Sequence, residues 1–138
     1  MTKNIIQHHE LFDFESLFEN IKSRYIGLDY HDYLNFLHTE GEKHSFIGQA
    51  DWKDRVENAI GNAIASDEAM EIINRASNIM ITIIRSSEAE CALTIEELQY
   101  LNDFVTVCSD NCDVVWGLAE DSTLGNAVKV VILANVNK

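Results

Sequence analysis

Hydrophobic positions near the N-terminus repeat at the spacing of an amphipathic helix. Between residues 11 and 21 they advance in steps of three, three, one and three, which places them on one helix face. A second helix is predicted over residues 28–37, with Asp29 as its N-cap, Asp32 in its first turn and Gly41 closing the unit. Its apolar face consists of Tyr30, Tyr33, Leu34 and Leu37.

The middle of the chain predicts a strand, a helix and a second strand. Residues 43–50 alternate weakly and favour a strand, and residues 51–65 have the spacing of a helix. Residues 79–84 form an unbroken apolar run rich in β-branched side chains, which is typical of a central strand covered on both faces. The apolar side of the predicted helix contains Trp52, Val56, Ala59, Ile60, Ala63 and Ile64.

The last third predicts one strong helix and two strands. Thr94 and Glu97 have the spacing of a capping box, and Leu93 with Leu98 has that of a hydrophobic staple. Strands over 113–120 and 127–136 are separated by a polar turn that contains Gly125. The core stripe of the helix is predicted to be Ile95, Leu98, Leu101, Val105 and Cys108.

Together these elements predict an α+β domain with a four-stranded mixed sheet and an N-terminal helical extension. Strands over 43–50, 77–86, 113–120 and 127–136 are packed by two helices near 51–65 and 94–108. Strands separated by helices are expected to pair in parallel, and the last two strands are expected to be antiparallel. Residues 1–12 are expected to be flexible and 13–138 to form a single domain. The predicted buried residues are Ile81, Ile83, Leu98, Leu101, Val115 and Val131.

The charge distribution disfavours nucleic acid as a partner. The net charge is -13, and residues 86–128 contain nine acidic residues without a single Lys, Arg or His. Such a surface repels phosphate backbones. It is either a solvated face that keeps the protein soluble or a docking face for a basic partner.

The cysteines indicate reduced thiols in the cytoplasm. There are three, Cys91, Cys108 and Cys112, and the N-terminus has no apolar segment of the secretory kind. Cys108 and Cys112 are four residues apart without a nearby histidine, so no metal site is predicted. No apolar run approaches the roughly 20 residues that a membrane-spanning helix needs.

Four stretches, in order, resemble the C-terminal domain of the cell-division GTPase FtsZ. Residues 26–33 (IGLDYHDY) resemble its synergy-loop pattern Asn-x-Asp-Phe-Ala-Asp-Val, and 46–50 (FIGQA) with 55–64 (RVENAIGNAI) resemble a strand end and the helix after it. Residues 93–98 (LTIEEL) resemble a helix start, and 114–125 (VVWGLAEDSTLG) resemble the family's Ile-Ile-x-Gly-x-x-x-Asp-x-x-Leu-Gly. The resemblance implies the FtsZ/tubulin C-terminal fold.

The resemblance covers the second half of FtsZ and not its GTPase half. The six glycines include no clustered phosphate-binding loop. We therefore expect a free-standing domain that binds no GTP or GDP, uses no cofactor, holds no metal and has no catalytic residue of its own.

In FtsZ the synergy loop enters the GTP site of the next subunit, and its acidic residues help to position the attacking water. By position, Asp29 and Asp32 match these acidic residues, whereas Gly27 stands in place of the family's Asn, and His31 and Tyr33 replace small and branched residues. The candidate interaction residues are Gly27, Asp29, Tyr30, His31 and Asp32. Alternatively, Asp29 only caps a helix and Asp32 only complements its dipole.

The sequence thus predicts a non-enzymatic protein-interaction domain that binds or caps a tubulin-like GTPase polymer. The alternatives are a structural domain that forms homo-oligomers and a small-molecule-binding domain, both unrelated to cell division. Trp52 and Trp116 are predicted to pack in the core or at its edge, and an exposed tryptophan would instead mark an interface.

Overall fold

The computed structural model describes residues 30–86, 93–108, 112–121 and 124–137. In chain order these residues form α1 (Tyr30–His38), β1 (Glu42–Ala50), α2 (Arg55–Ala63), α3 (Asp67–Arg75), β2 (Asn78–Arg85), α4 (Ile95–Cys108), β3 (Asp113–Glu120) and β4 (Val128–Val136). The predicted helix over 11–21 and the predicted flexible segment 1–12 lie outside the described residues.

The four strands form one mixed sheet in the order β1-β4-β2-β3. β4 is antiparallel to both β1 and β2, while β2 and β3 are parallel and are connected through α4. The predicted α+β architecture is confirmed, and each strand begins and ends within one residue of its predicted bounds.

Two expectations about strand pairing are corrected. β1 and β2 are separated by helices but do not pair, because β4 lies between them. β3 and β4 run in opposite directions as expected, yet they are not neighbours, because β2 lies between them. The turn between the last two strands therefore crosses the end of β2 instead of closing a hairpin.

The core lies between one face of the sheet and three helices. β2 is buried on both faces, and every residue from Ile79 to Ile84 is at most 1% exposed, which confirms the prediction of a central strand. The core cluster joins residues of α2, α3 and α4 to alternate residues of β1, β2 and β4. Lys43 and Phe46 point to opposite faces of β1, and Nζ of Lys43 lies 5.8 Å from the ring centre of Phe36 in α1. α1 therefore packs on the face away from α2–α4.

The helix α3 was missed by sequence analysis, which assigned no element to residues 66–76. Its start has a clear sequence signal, because the Ser66 hydroxyl accepts a hydrogen bond of 3.0 Å from the Ala69 amide. Asp67 and Glu68 occupy its first turn and Arg75 its last, as the helix dipole favours. The sheet is thus packed on this face by three helices and not by two.

Five predicted core positions on α4 and β3 are not fully buried in the structure. Val115 is 46% exposed, because β3 is an edge strand and Val115 points away from the face that the core helices cover. Ile95 is 82% exposed at the first position of α4. Leu98, Val105 and Cys108 of the same helix are only half-buried against the core cluster. The other predicted core residues, Ile81, Ile83, Leu101 and Val131, are buried.

Leu101 is the fully buried residue of α4, with no exposed surface. We expect Leu101→Ala to lower the free energy of unfolding by about 2–5 kcal/mol, because it removes buried apolar atoms and leaves a cavity between α4 and the sheet. Urea denaturation followed by circular dichroism measures this loss. The exposed Val107 of the same helix is the control, since its replacement by Ala removes little buried surface; equal losses at the two positions would contradict this packing.

Candidate functional site

The structure describes part of the predicted interaction segment. Tyr30, His31 and Asp32 are the first three residues of α1, whereas Gly27 and Asp29 lie outside the described residues. The prediction of a helix over 28–37 is confirmed for the backbone from residue 30 onwards, and the helix ends at His38. The segment therefore leads directly into a helix that packs on the sheet.

A polar network fixes the C-terminal end of α1 to the sheet. The Asn135 amide nitrogen donates to the Glu40 carbonyl oxygen at 3.1 Å, and its amide oxygen accepts from Nζ of Lys43 at 2.7 Å. Lys43 also donates to the Thr39 carbonyl at the end of α1. Burial lowers the pKa of the Lys43 ammonium group. Because Asn135 is fully buried in β4, this network holds the C-terminal end of α1 at a defined position on the sheet.

A second feature is an open groove of about 670 Å³ where the loop after β1 faces α4. Five carboxylates and two cationic side chains line it, so it carries an excess of three negative charges. We call it the acidic groove. Its lining residues are Trp52, Lys53, Asp54, Arg55, Val56, Glu57, Thr94, Glu96, Glu97, Gln99, Tyr100, Asp103 and Asn126.

A bidentate ion pair between Arg55 and Glu97 forms the wall of the acidic groove. Nε of Arg55 lies 2.6 Å from Oε2 of Glu97, and Nη2 lies 3.2 Å from Oε1. Nη1 of Arg55 donates to the Asn126 carbonyl at 3.0 Å. The guanidinium thus joins α2, α4 and the turn before β4, and both side chains are largely buried.

Glu97 has a second role as the capping residue of α4. The Thr94 amide donates to Oε1 of Glu97 at 2.9 Å, and the Glu97 amide donates to the Thr94 hydroxyl at 3.1 Å, which confirms the predicted capping box. Burial raises the pKa of the Glu97 carboxyl, but hydrogen bonds from Arg55 and Thr94, together with the charge of Arg55, outweigh it and lower the pKa.

Trp52 does not lie on the helix where it was predicted. α2 begins at Arg55, and both Trp52 and Asp54 have left-handed backbone conformations, with φ of 70° and 57°. The helix therefore cannot extend back to Asp51, and the Trp52 side chain is 85% exposed at the mouth of the acidic groove. Trp116 is half-buried and packs against the core cluster, as predicted.

The remaining candidate residues contribute no site. Burial and the neighbouring Cys112 thiol raise the pKa of the Cys108 thiol to about 11, and both cysteines line a small cleft between α3 and α4. Cys91 lies outside the described residues. Within the described ranges, no group of three or more His, Cys, Asp or Glu side chains is placed to hold a metal ion, and no helix is long and apolar enough to cross a membrane.

Comparison with known proteins relates this fold to FtsZ. The chain is 29% identical over 116 residues to the cell division protein FtsZ of Porphyromonas gingivalis, a match that covers 83% of the chain and 25% of that relative. It also superimposes on the structure of an empty FtsZ dimer from M. jannaschii with a TM-score of 0.59 and 23% identity, over 80% of the chain and 31% of the FtsZ chain. The chain is therefore similar to part of FtsZ in sequence and shares the fold of that part.

The similarity extends to a mutant of the same M. jannaschii FtsZ, with a TM-score of 0.59, 23% identity and coverage of 80% of the chain and 32% of that chain. No protein-family model matches the chain. The chain therefore spans a quarter of the length of the curated FtsZ and less than a third of the solved FtsZ chains, and the part it matches has the fold of the FtsZ C-terminal domain.

Several residues of the stretches that resemble FtsZ make contacts that stabilise the fold of this chain. Arg55, at the start of the FtsZ-like helix motif, forms the ion pair with Glu97. Ala59 and Ala63 of the same motif pack against Gly48 of the FtsZ-like strand end, where a side chain would collide with the helix backbone. These contacts show how Arg55, Ala59, Ala63 and Gly48 hold α2 against β1 and α4.

Proposed function

We propose that the chain is a non-enzymatic, cytoplasmic protein-interaction domain that docks on a tubulin-like GTPase subunit. The segment with Gly27, Asp29, Tyr30, His31 and Asp32 is the docking element. The observation that carries the proposal is the FtsZ-like fold, in which a synergy-loop-like segment leads into a helix fastened to the sheet. Asp29 and Asp32 are the carboxylates that would approach the nucleotide face of the partner.

The proposed outcome of docking is that the domain caps a filament. Head-to-tail growth requires two complementary faces on every subunit. These 138 residues offer a synergy-loop-like face and contain no glycine-rich phosphate loop to offer as the other. A polypeptide of this sequence bound at a filament end would therefore block the next subunit. Gly27 in place of the family's Asn removes a polar group, which favours capping over activation of GTP hydrolysis.

The proposal predicts that the purified chain reduces FtsZ polymer mass at substoichiometric dose. The test adds the chain to FtsZ from the organism that encodes it and follows assembly in GTP by light scattering. We expect the double variant Asp29→Asn, Asp32→Asn to lose the effect, because it removes both carboxylates. Since asparagine caps a helix about as well as aspartate, this variant keeps the N-cap.

A matched control comes from α3, where Asp67 and Glu68 occupy the first helical turn and are exposed. Asp67→Asn, Glu68→Gln removes the same charge at a comparable place on another helix, and we expect it to inhibit assembly as the unmodified chain does. If the unmodified chain and the Asp29, Asp32 variant leave assembly equally untouched, capping is refuted. Sedimentation of the chain alone distinguishes the alternative of a homo-oligomeric structural domain.

A further inference from the structure

The acidic groove combines an exposed aromatic side chain with unpaired negative charge. Trp52 is 85% exposed, although burying its large apolar surface would stabilise the fold. Its left-handed backbone, shared with nearby Asp54, presents the indole to solvent at the mouth of the groove. Surface tryptophans beside a groove are typical anchors of protein interfaces.

The charges of the groove are not balanced within it. Arg55 and Glu97 neutralise each other, which leaves Lys53 against the exposed carboxylates of Asp54, Glu57, Glu96 and Asp103. Tyr100 adds a second aromatic ring to the lining, and burial together with the negative charge of Glu57 raises the pKa of its phenol. The field along the groove thus attracts cations and repels phosphate.

Aromatic faces beside carboxylates recognise one chemistry well, the guanidinium group. Arginine stacks on an indole ring and donates hydrogen bonds to carboxylates at the same time. A volume of about 670 Å³, open to solvent, fits several residues of an extended chain better than a single ion.

We propose that the acidic groove binds an arginine-containing basic segment of a protein partner. One guanidinium of that segment stacks on Trp52, and the neighbouring basic side chains of the segment pair with Glu57, Glu96 and Asp103. These groove residues lie on the loop after β1, on α2 and on α4, and none of them belongs to the proposed docking segment. The inference does not depend on the proposed FtsZ docking, because a different set of residues carries it.

The test measures the fluorescence anisotropy of a labelled peptide of alternating arginine and glycine as the chain is added at low salt. We expect the unmodified chain to bind it and Trp52→Ala to weaken binding by about tenfold, as expected for the loss of a stacked cation. Trp52 is exposed, so the variant keeps its fold, which circular dichroism verifies. A peptide with lysine in place of arginine carries the same charge and is expected to bind more weakly.

Two triple variants separate the groove from general electrostatic attraction. Glu57→Gln, Glu96→Gln, Asp103→Asn removes three groove carboxylates, and we expect it to weaken binding and to reduce its salt dependence. Asp67→Asn, Glu68→Gln, Glu71→Gln removes three exposed carboxylates of α3, outside the groove, and is expected to bind nearly as the unmodified chain does. Equal losses in the two triple variants, unchanged affinity for Trp52→Ala, or no binding of the arginine peptide would overturn the proposal.

Discussion

Replacing Gly48 with valine should prevent the chain from folding. A Cβ atom at this position in β1 would lie 2.0 Å from the Ala59 carbonyl oxygen and 2.5 Å from the Ala63 amide nitrogen, both in the backbone of α2. Neither atom belongs to a flexible side chain, so the helix and the strand would have to separate. Because a domain of this size is stabilised by only about 5–15 kcal/mol, a variant that displaces α2 from the core leaves no stable fold.

The same substitution at two glycines gives a matched test of this close approach. Gly48→Ala should lower the free energy of unfolding by about 3 kcal/mol or more, because the Cβ itself makes the collision. Gly61→Ala, on the exposed side of α2 with open space around it, should raise stability by about 0.5–1 kcal/mol, since alanine favours a helix over glycine. Urea denaturation followed by circular dichroism measures both; equal effects would contradict the packing of β1 on α2.

Removing the Arg55 guanidinium should lower the stability of the fold about as much as Gly48→Ala does. Arg55→Met removes the cationic partner of the largely buried Glu97 carboxylate and the hydrogen bond from Nη1 to the Asn126 carbonyl. The loss of one member of a buried ion pair costs about 3–5 kcal/mol. The control is Arg85→Met, because Arg85 and Glu120 are somewhat more exposed and their closest contact is longer, 3.1 Å. We expect a smaller loss of stability there. If the denaturation midpoints of Arg55→Met and Arg85→Met fall by the same amount, the greater contribution of the Arg55–Glu97 pair is contradicted.

The Arg55–Glu97 ion pair also predicts a dependence of stability on pH. The pKa of Glu97 is lowered in the folded chain, so its contribution is fully present above the ordinary value of 4.5 and is lost as the pH falls through the lower folded value. Arg55→Met removes the principal cause of the lowering. Its stability should therefore fall less between neutral and acidic pH than that of the unmodified chain.

Local patterns in the sequence predicted most of the sheet. The run at 79–84 has the composition of a strand buried on both faces, and the capping box at Thr94 and Glu97 marks the start of α4. Ser66, Asp67 and Glu68 are an equally good signal for the start of α3. The sequence therefore contained the information that predicts α3. Elements of this kind are predictable because their causes lie within a few residues.

The order of the strands and the acidic groove could not be predicted from local sequence patterns. Whether β4 pairs with β3 or inserts between β1 and β2 depends on how the whole sheet covers its core, and no turn residue encodes it. Trp52 has helical spacing with Val56 and Ala59, yet its backbone is left-handed and the helix begins at Arg55. Trp52 is flanked by two polar residues, Asp51 and Lys53, and these were the available sign that Trp52 lies in a loop.

The proposed docking of the chain on a tubulin-like GTPase is tested most directly by measuring the complex itself. Sedimentation velocity of the labelled chain with FtsZ in GTP, below the concentration at which FtsZ assembles, detects binding without polymer. We expect a one-to-one complex with the unmodified chain and with Asp67→Asn, Glu68→Gln, and none with Asp29→Asn, Asp32→Asn. A chain that sediments alone in all mixtures, or a complex that is indifferent to Asp29 and Asp32, would contradict docking through the FtsZ-like segment.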